Sequence, residues 1–115
     1  MVALRGTPRT YFSVPSCLSR RAAGLMFAGN CEYTLSESLL PSAIAAQNSA
    51  ARGLGVAFVN MNDLVCSTTP CRTMRNDTVV FTDDNHLTLA FSQSVATAFG
   101  ARVADAAARL GRRLP

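Results

Sequence analysis

The run Val56-Ala57-Phe58-Val59 constrains this chain more than any other stretch, because a continuous apolar segment leaves no polar face for solvent. It suits a strand buried on both faces, and such strands usually belong to parallel sheets. The residues before it agree. Pro41 fits the first position of a helix, where its missing N–H forfeits no hydrogen bond, and Gly53 can end that helix just after Arg52. Leu40, Ile44 and Ala45 would form its inner face. A second apolar run, Val2-Ala3-Leu4, reads as the end of a buried strand before the turn Arg5-Gly6-Thr7-Pro8.

The remaining segments fill in an order. Residues 5 to 20 read as a loop holding Pro8 and Pro15, residues 20 to 28 as a short helix broken by Gly29-Asn30, and residues 60 to 77 as a polar loop. Thr78-Val79-Val80-Phe81 is a short extended segment. From Thr88 onward, Phe91, Val95, Phe99, Val103, Ala106 and Leu110 recur at spacings of three and four, which marks one face of an amphipathic helix slightly weakened by Gly100. Strand, loop, helix, strand, loop, helix is the order of an α/β fold with a parallel sheet. A chain of 115 residues holds at most one domain, and 49% hydrophobic with 16% charged residues indicates a folded one.

In such folds the active site lies at the carboxyl ends of the strands. The segment Thr82-Asp83-Asp84-Asn85-His86-Leu87-Thr88 occupies such a position, and it holds the only histidine of the chain with an acid three residues before it. A carboxylate against one ring nitrogen fixes the tautomer and stabilises the imidazolium, so Asp83 and His86 are candidate orienting acid and general base, with Asp84 in reserve. The alternative is structural: Asp84, Asn85 and Thr88 can each cap the helix that follows.

Charge and cysteines narrow the partners and the compartment. The net charge of +4 comes from 11 arginines with no lysine, and these are scattered, without the aromatic interleaving that tracks a nucleic-acid strand. Nucleic acid is not an expected partner. No run of 18 apolar residues exists to span a membrane, and the N-terminus lacks the order of a signal peptide. Yet Cys17, Cys31, Cys66 and Cys71 in so short a chain resemble a disulfide framework. Both observations are met if the chain is a piece of something longer, with its export or membrane signal upstream of Met1.

The residues resemble the carboxyl-terminal half of an SGNH domain, the kind fused behind the membrane-embedded acyltransferase-3 family of bacterial O-acyltransferases. Four stretches carry the resemblance: Leu4-Arg5-Gly6-Thr7-Pro8-Arg9 leading to Val14-Pro15-Ser16-Cys17-Leu18; Cys31; Val56 to Cys66 followed by Thr69-Pro70-Cys71; and Val80-Phe81-Thr82-Asp83-Asp84-Asn85-His86-Leu87-Thr88. The last is the most specific. The resemblance implies a three-layer α/β/α sandwich of flavodoxin-like type with a parallel sheet, present in part and truncated at the N-terminus, with residues 1–115 as its carboxyl-terminal portion.

It also implies that Asp83 and His86 complete a Ser-His-Asp triad. The serine of that family sits in a Gly-Asp-Ser motif, and its oxyanion hole draws on that serine's amide, a glycine and an asparagine from upstream blocks; none of those blocks is present here. A base without nucleophile or oxyanion donors gives no independent esterase turnover. In the family, an acyl donor serves the membrane part and a cell-surface glycan or other envelope acceptor receives the acyl group on the extracytoplasmic face of the bacterial membrane. No cofactor is implied. The reading from a different class is a non-catalytic remnant or a small disulfide-linked binding module.

Several local features offer alternatives. Gly29-Asn30-Cys31-Glu32 after Leu25-Met26-Phe27 imitates a cysteine nucleophile elbow, although Cys31 matches a family cysteine that looks structural. The cysteines with His86 could bind zinc, but Cys66 to Cys71 is wider than a Cys-x-x-Cys knuckle and no second tight pair exists. Of the three possible disulfide connectivities, Cys66 with Cys71 and Cys17 with Cys31 are expected. Arg102, Arg109, Arg112 and Arg113 could dock to an anionic membrane or simply complement a helix end. Met26, Met61 and Met74 would fill core gaps.

Overall fold

The computed structural model describes residues 1–25 and 29–113. Among the described residues, the one parallel pairing joins β1 (Val2–Leu4) to β3 (Ala57–Val59), with Val2 opposite Ala57 and Leu4 opposite Val59. The long helix α6 (Ala96–Arg113) covers one face of this pair. Buried Ala57, Val59, Met61 and Ala106 meet there, flanked by Val2, Val103 and Leu110. The fold is thus mixed helix and strand with a two-stranded parallel sheet.

Between the parallel strands the chain forms α1 (Val14–Ala22), β2 (Glu32–Tyr33), α2 (Leu35–Ser38) and α3 (Pro41–Ala51). The helix α1 begins earlier than periodicity predicted. Ser13 caps it by accepting from the Ser16 amide, Pro15 sits in its first turn, and Arg20 and Arg21 complement its last turn. The expected helix over 20–28 runs onto residues 26–28, which lie outside the described residues, as does Met26.

Helix α3 has the predicted bounds but not the predicted inner face. Leu40 and Ile44 are exposed, as is Ala45, and no residue of the helix is buried. Gln47 ties it down, accepting from Arg5 Nη1 at 3.0 Å and donating to the Leu4 carbonyl at 3.0 Å. No buried residue of either core cluster comes from this helix, so its apolar side chains lie against neither core. The Phe58 ring carries the Arg5 guanidinium, 3.5 Å from the ring centroid. The radius of gyration is 16.6 Å, above the ~13 Å of a compact chain this long, so the molecule is extended.

After β3 come α4 (Asn62–Val65), β4 (Cys71–Arg72), β5 (Met74–Arg75) and β6 (Thr78–Val79). The predicted loop over 60–77 is therefore partly ordered. Strand β4 pairs antiparallel with β2, and β5 with β6. Asn76 and Asp77 form the two-residue connection at φ of 49° and 64°, the left-handed pair that a tight hairpin of matching twist demands. The second core gathers Val14, Tyr33, Val65, Cys71, Val80, Phe81 and Phe91. The predicted helix from Thr88 breaks into α5 (Leu89–Ser94) and α6, with Val95 leaving helical geometry between them. Phe91 and Ala106 are buried on its face, whereas Phe99 is 40% exposed. Met61 fills the core as expected; Met74 is exposed.

Candidate active site

Extended segment 78–81 was expected to end a parallel strand. It instead belongs to the antiparallel β5–β6 hairpin and continues into a bridge between Phe81 and Leu87. That bridge closes the turn carrying Asp83 and His86. The Thr82 amide donates to the His86 carbonyl at 2.8 Å and the Thr88 amide to the Val80 carbonyl at 2.9 Å. Thr88 also caps α5, accepting from the Phe91 amide, so capping falls to Thr88 and leaves both aspartates for other work.

Within the turn, Asp83 Oδ1 accepts from the amides of Asn85 at 2.8 Å and His86 at 2.7 Å. Its Oδ2 lies 2.7 Å from His86 Nδ1. The amides of Asn85 and His86, and then the imidazole, hold the Asp83 carboxyl down at about 2. With an ionised acceptor against Nδ1, that nitrogen carries the proton and Nε2 presents its lone pair. The His86 side chain is 73% exposed, so the lone pair is open to a reacting group. The Asn85 amide orientation that satisfies the carboxylates turns its nitrogen to Asp84 Oδ1 at 3.1 Å and Asp83 Oδ1 at 3.2 Å; it also lies 3.0 Å from His86 Nδ1, which accepts nothing from it while donating to Asp83.

Asp84 does not face the imidazole. Its Oδ2 accepts from Arg9 Nε at 2.8 Å. Of the two acids in the sequence, the structure brings Asp83 to His86 and gives Asp84 to Arg9. A cleft of about 650 Å³ adjoins the turn, reached by Asn85 and lined by Gly6 and Thr7 beyond β1, Asn60 and Asn62 beyond β3, Leu40 just before α3 and Ile44 within it. The carboxyl ends of the parallel strands thus open on the cleft beside the turn, although the turn leaves a different sheet.

The cysteines pair as expected, Cys17 with Cys31 and Cys66 with Cys71. Cys31 is buried and oxidised, which removes the cysteine-elbow alternative, and no thiolate remains to hold zinc. Among the described residues no group of three or more His, Cys, Asp and Glu could hold a metal ion. Arg102, weighed above for membrane docking, forks onto Asp63 at 2.6 and 2.9 Å and donates to the Asn60 carbonyl. Arg109 pairs with Asp105 one turn earlier. No described helix is long and apolar enough to cross a membrane.

A family model, the SGNH domain fused to AT3 domains, matches residues 1–101. The chain belongs to that SGNH family. The match takes in all four stretches singled out in the sequence and both members of the Asp83–His86 pair, and it stops within α6. Membership puts this SGNH domain in an acyltransferase-related setting, since its family occurs joined to AT3 domains. No curated protein and no solved structure matched the chain.

Proposed function

We propose that this SGNH domain supplies the acid–base half of a Ser-His-Asp acyl-transfer site, and that the serine comes from polypeptide outside these 115 residues. The observation that carries the reading is the 2.7 Å contact between Asp83 Oδ2 and His86 Nδ1, with the imidazole otherwise exposed. His86 Nε2 would take the proton of the serine hydroxyl as its oxygen attacks the acyl carbonyl. The imidazolium, stabilised by Asp83, would return that proton to the departing oxygen. A hydroxyl of the acceptor then repeats the cycle in reverse, leaving the acyl group on the acceptor and the serine free.

The partial three-layer sandwich belongs to the same proposal. Helix α6 on one face of β1 and β3, exposed Leu40 and Ile44 on α3, and the extended shape fit a domain whose remaining strands lie outside the described residues. The family fusion favours an AT3 membrane domain as partner, an acyl donor on its side, and a cell-envelope glycan as acceptor on the extracytoplasmic face. Two disulfides agree with an oxidising compartment.

The reading frame upstream of Met1 tests this directly. It should encode a Gly-Asp-Ser block and membrane spans; an unrelated gene there favours the non-catalytic remnant or binding module instead. The isolated chain should not hydrolyse a short-chain nitrophenyl ester, and turnover abolished by His86→Ala in that chain would overturn the proposal that the nucleophile lies elsewhere.

A further inference from the structure

The turn bearing Asp83 and His86 is anchored from outside by a segment about seventy residues earlier. Arg9 Nε donates to the Asp84 carboxylate at 2.8 Å. The Thr10 amide donates to the Asp84 carbonyl at 2.7 Å, and the Thr10 hydroxyl lies 3.1 Å from the same oxygen. The Val14 amide, at the start of α1, donates to the Asp83 carbonyl at 3.3 Å. Thr10 is only 5% exposed.

Tyr11 makes this approach possible at a conformational cost. Its φ is 66°, a left-handed backbone that a bulky residue rarely adopts and that persists only where its surroundings impose it. Its ring is 57% exposed, so side-chain burial does not impose the conformation. The hydrogen bonds on either side of it do, through Thr10 and Val14.

Asp83 reaches the imidazole only while the turn keeps its shape, and the next residue, Asp84, is the one that Arg9 and Thr10 hold from outside. We propose that Arg9 and Thr10 are positioning residues that fix the Asp84 carboxylate and carbonyl, and with them the turn in which Asp83 reaches His86. The inference rests on the reading of Asp83 and His86 as an acid–base pair only for its catalytic consequence; the geometric claim can be tested without turnover.

The experiment is nitrogen NMR of the His86 ring in the full chain, which reads the ratio of the Nδ1–H to the Nε2–H tautomer. A residue that merely stabilised the fold would lower the melting temperature and leave that ratio unchanged. In Arg9→Ala the ratio should fall by up to about fivefold, the upper size expected for losing one solvent-exposed ion pair. Arg9→Lys should restore most of it. Thr10→Val, which keeps the backbone amide, should lower it less. Where Arg9→Ala does not fold, Arg9→Gln gives the same reading with the stem retained. A wild-type ratio in folded Arg9→Ala (or Arg9→Gln) and Thr10→Val would overturn the proposal. If the ratio responds but turnover of a serine-bearing form ignores His86→Ala, the acid–base reading falls and the positioning role stands.

Discussion

Phe81 is fully buried and meets the ring of Tyr33 edge to face, with centroids 5.9 Å apart and planes at 76°. The contact lies two residues before Asp83, so the chain leaves a packed core and enters the turn at once. The Phe81–Leu87 bridge brings it back beside the same core. A polar pair that is half exposed is thereby mounted on a rigid base, which is what holding an imidazole in one orientation requires.

The Asp83 carboxyl should titrate near 2 rather than near 4, followed by carbon NMR of its side chain. Its folded value lies below its unfolded one, so its contribution to stability is present above about 3.9 and is lost as pH falls through the folded value. The His86→Ala variant should keep part of the depression, because the Asn85 and His86 amides cause most of it. A midpoint near 4 in the wild-type chain would mean that those amides do not point at the carboxylate.

Tyr33→Phe should be neutral or stabilising by up to about 1 kcal/mol. The Tyr33 hydroxyl is buried with no hydrogen-bond partner among the described residues, and burial pushes its ionisation up to about 12, against the pull of Arg75. Because the folded value is raised, stability is intact below about 10 and declines as pH rises from there toward 12. Urea denaturation at pH 7 and pH 11 checks both statements, and the variant should lose less stability than the wild type at the higher pH. A Tyr33→Phe variant destabilised by several kcal/mol would show that the hydroxyl has a partner.

Replacing Cys17 and Cys31 together by serine should cost about 3 kcal/mol, since their bond closes a loop with a sequence separation of 14. The Cys66–Cys71 bond closes a separation of 5 and should matter less. The first bond holds α1 to the segment entering β2, and α1 supplies the Val14 amide that contacts Asp83. Chemical denaturation of the double variants, with the amide spectrum of residues 83–86 recorded alongside, measures both effects. Equal losses for the two disulfides would contradict this account.

The parallel strands, the bounds of α3 and the meeting of Asp83 with His86 were legible because each rests on short-range signals: an apolar run, a helix-starting proline, a spacing of three. The β5–β6 hairpin was missed although Asn76-Asp77 carries its signal, two residues that tolerate left-handed backbone between short extended pieces. The cap at Ser13 with Pro15 behind it likewise marks the start of α1. The exposed face of α3 could not be foreseen, because a helix's apolar stripe does not say whether a covering surface exists. Nor could the bond from Arg9 to Asp84, which spans 75 residues and depends on Tyr11 adopting a conformation its type disfavours.

The most direct measurement joins this chain, in one polypeptide, to a segment carrying the proposed Gly-Asp-Ser block and follows ester hydrolysis. Turnover should appear, fall by about 10⁴-fold in Asp83→Asn and by a similar factor in His86→Ala, and remain within about tenfold in Asp84→Asn. Turnover that survives His86→Ala unchanged would contradict the assignment of the proton-transferring base to this turn.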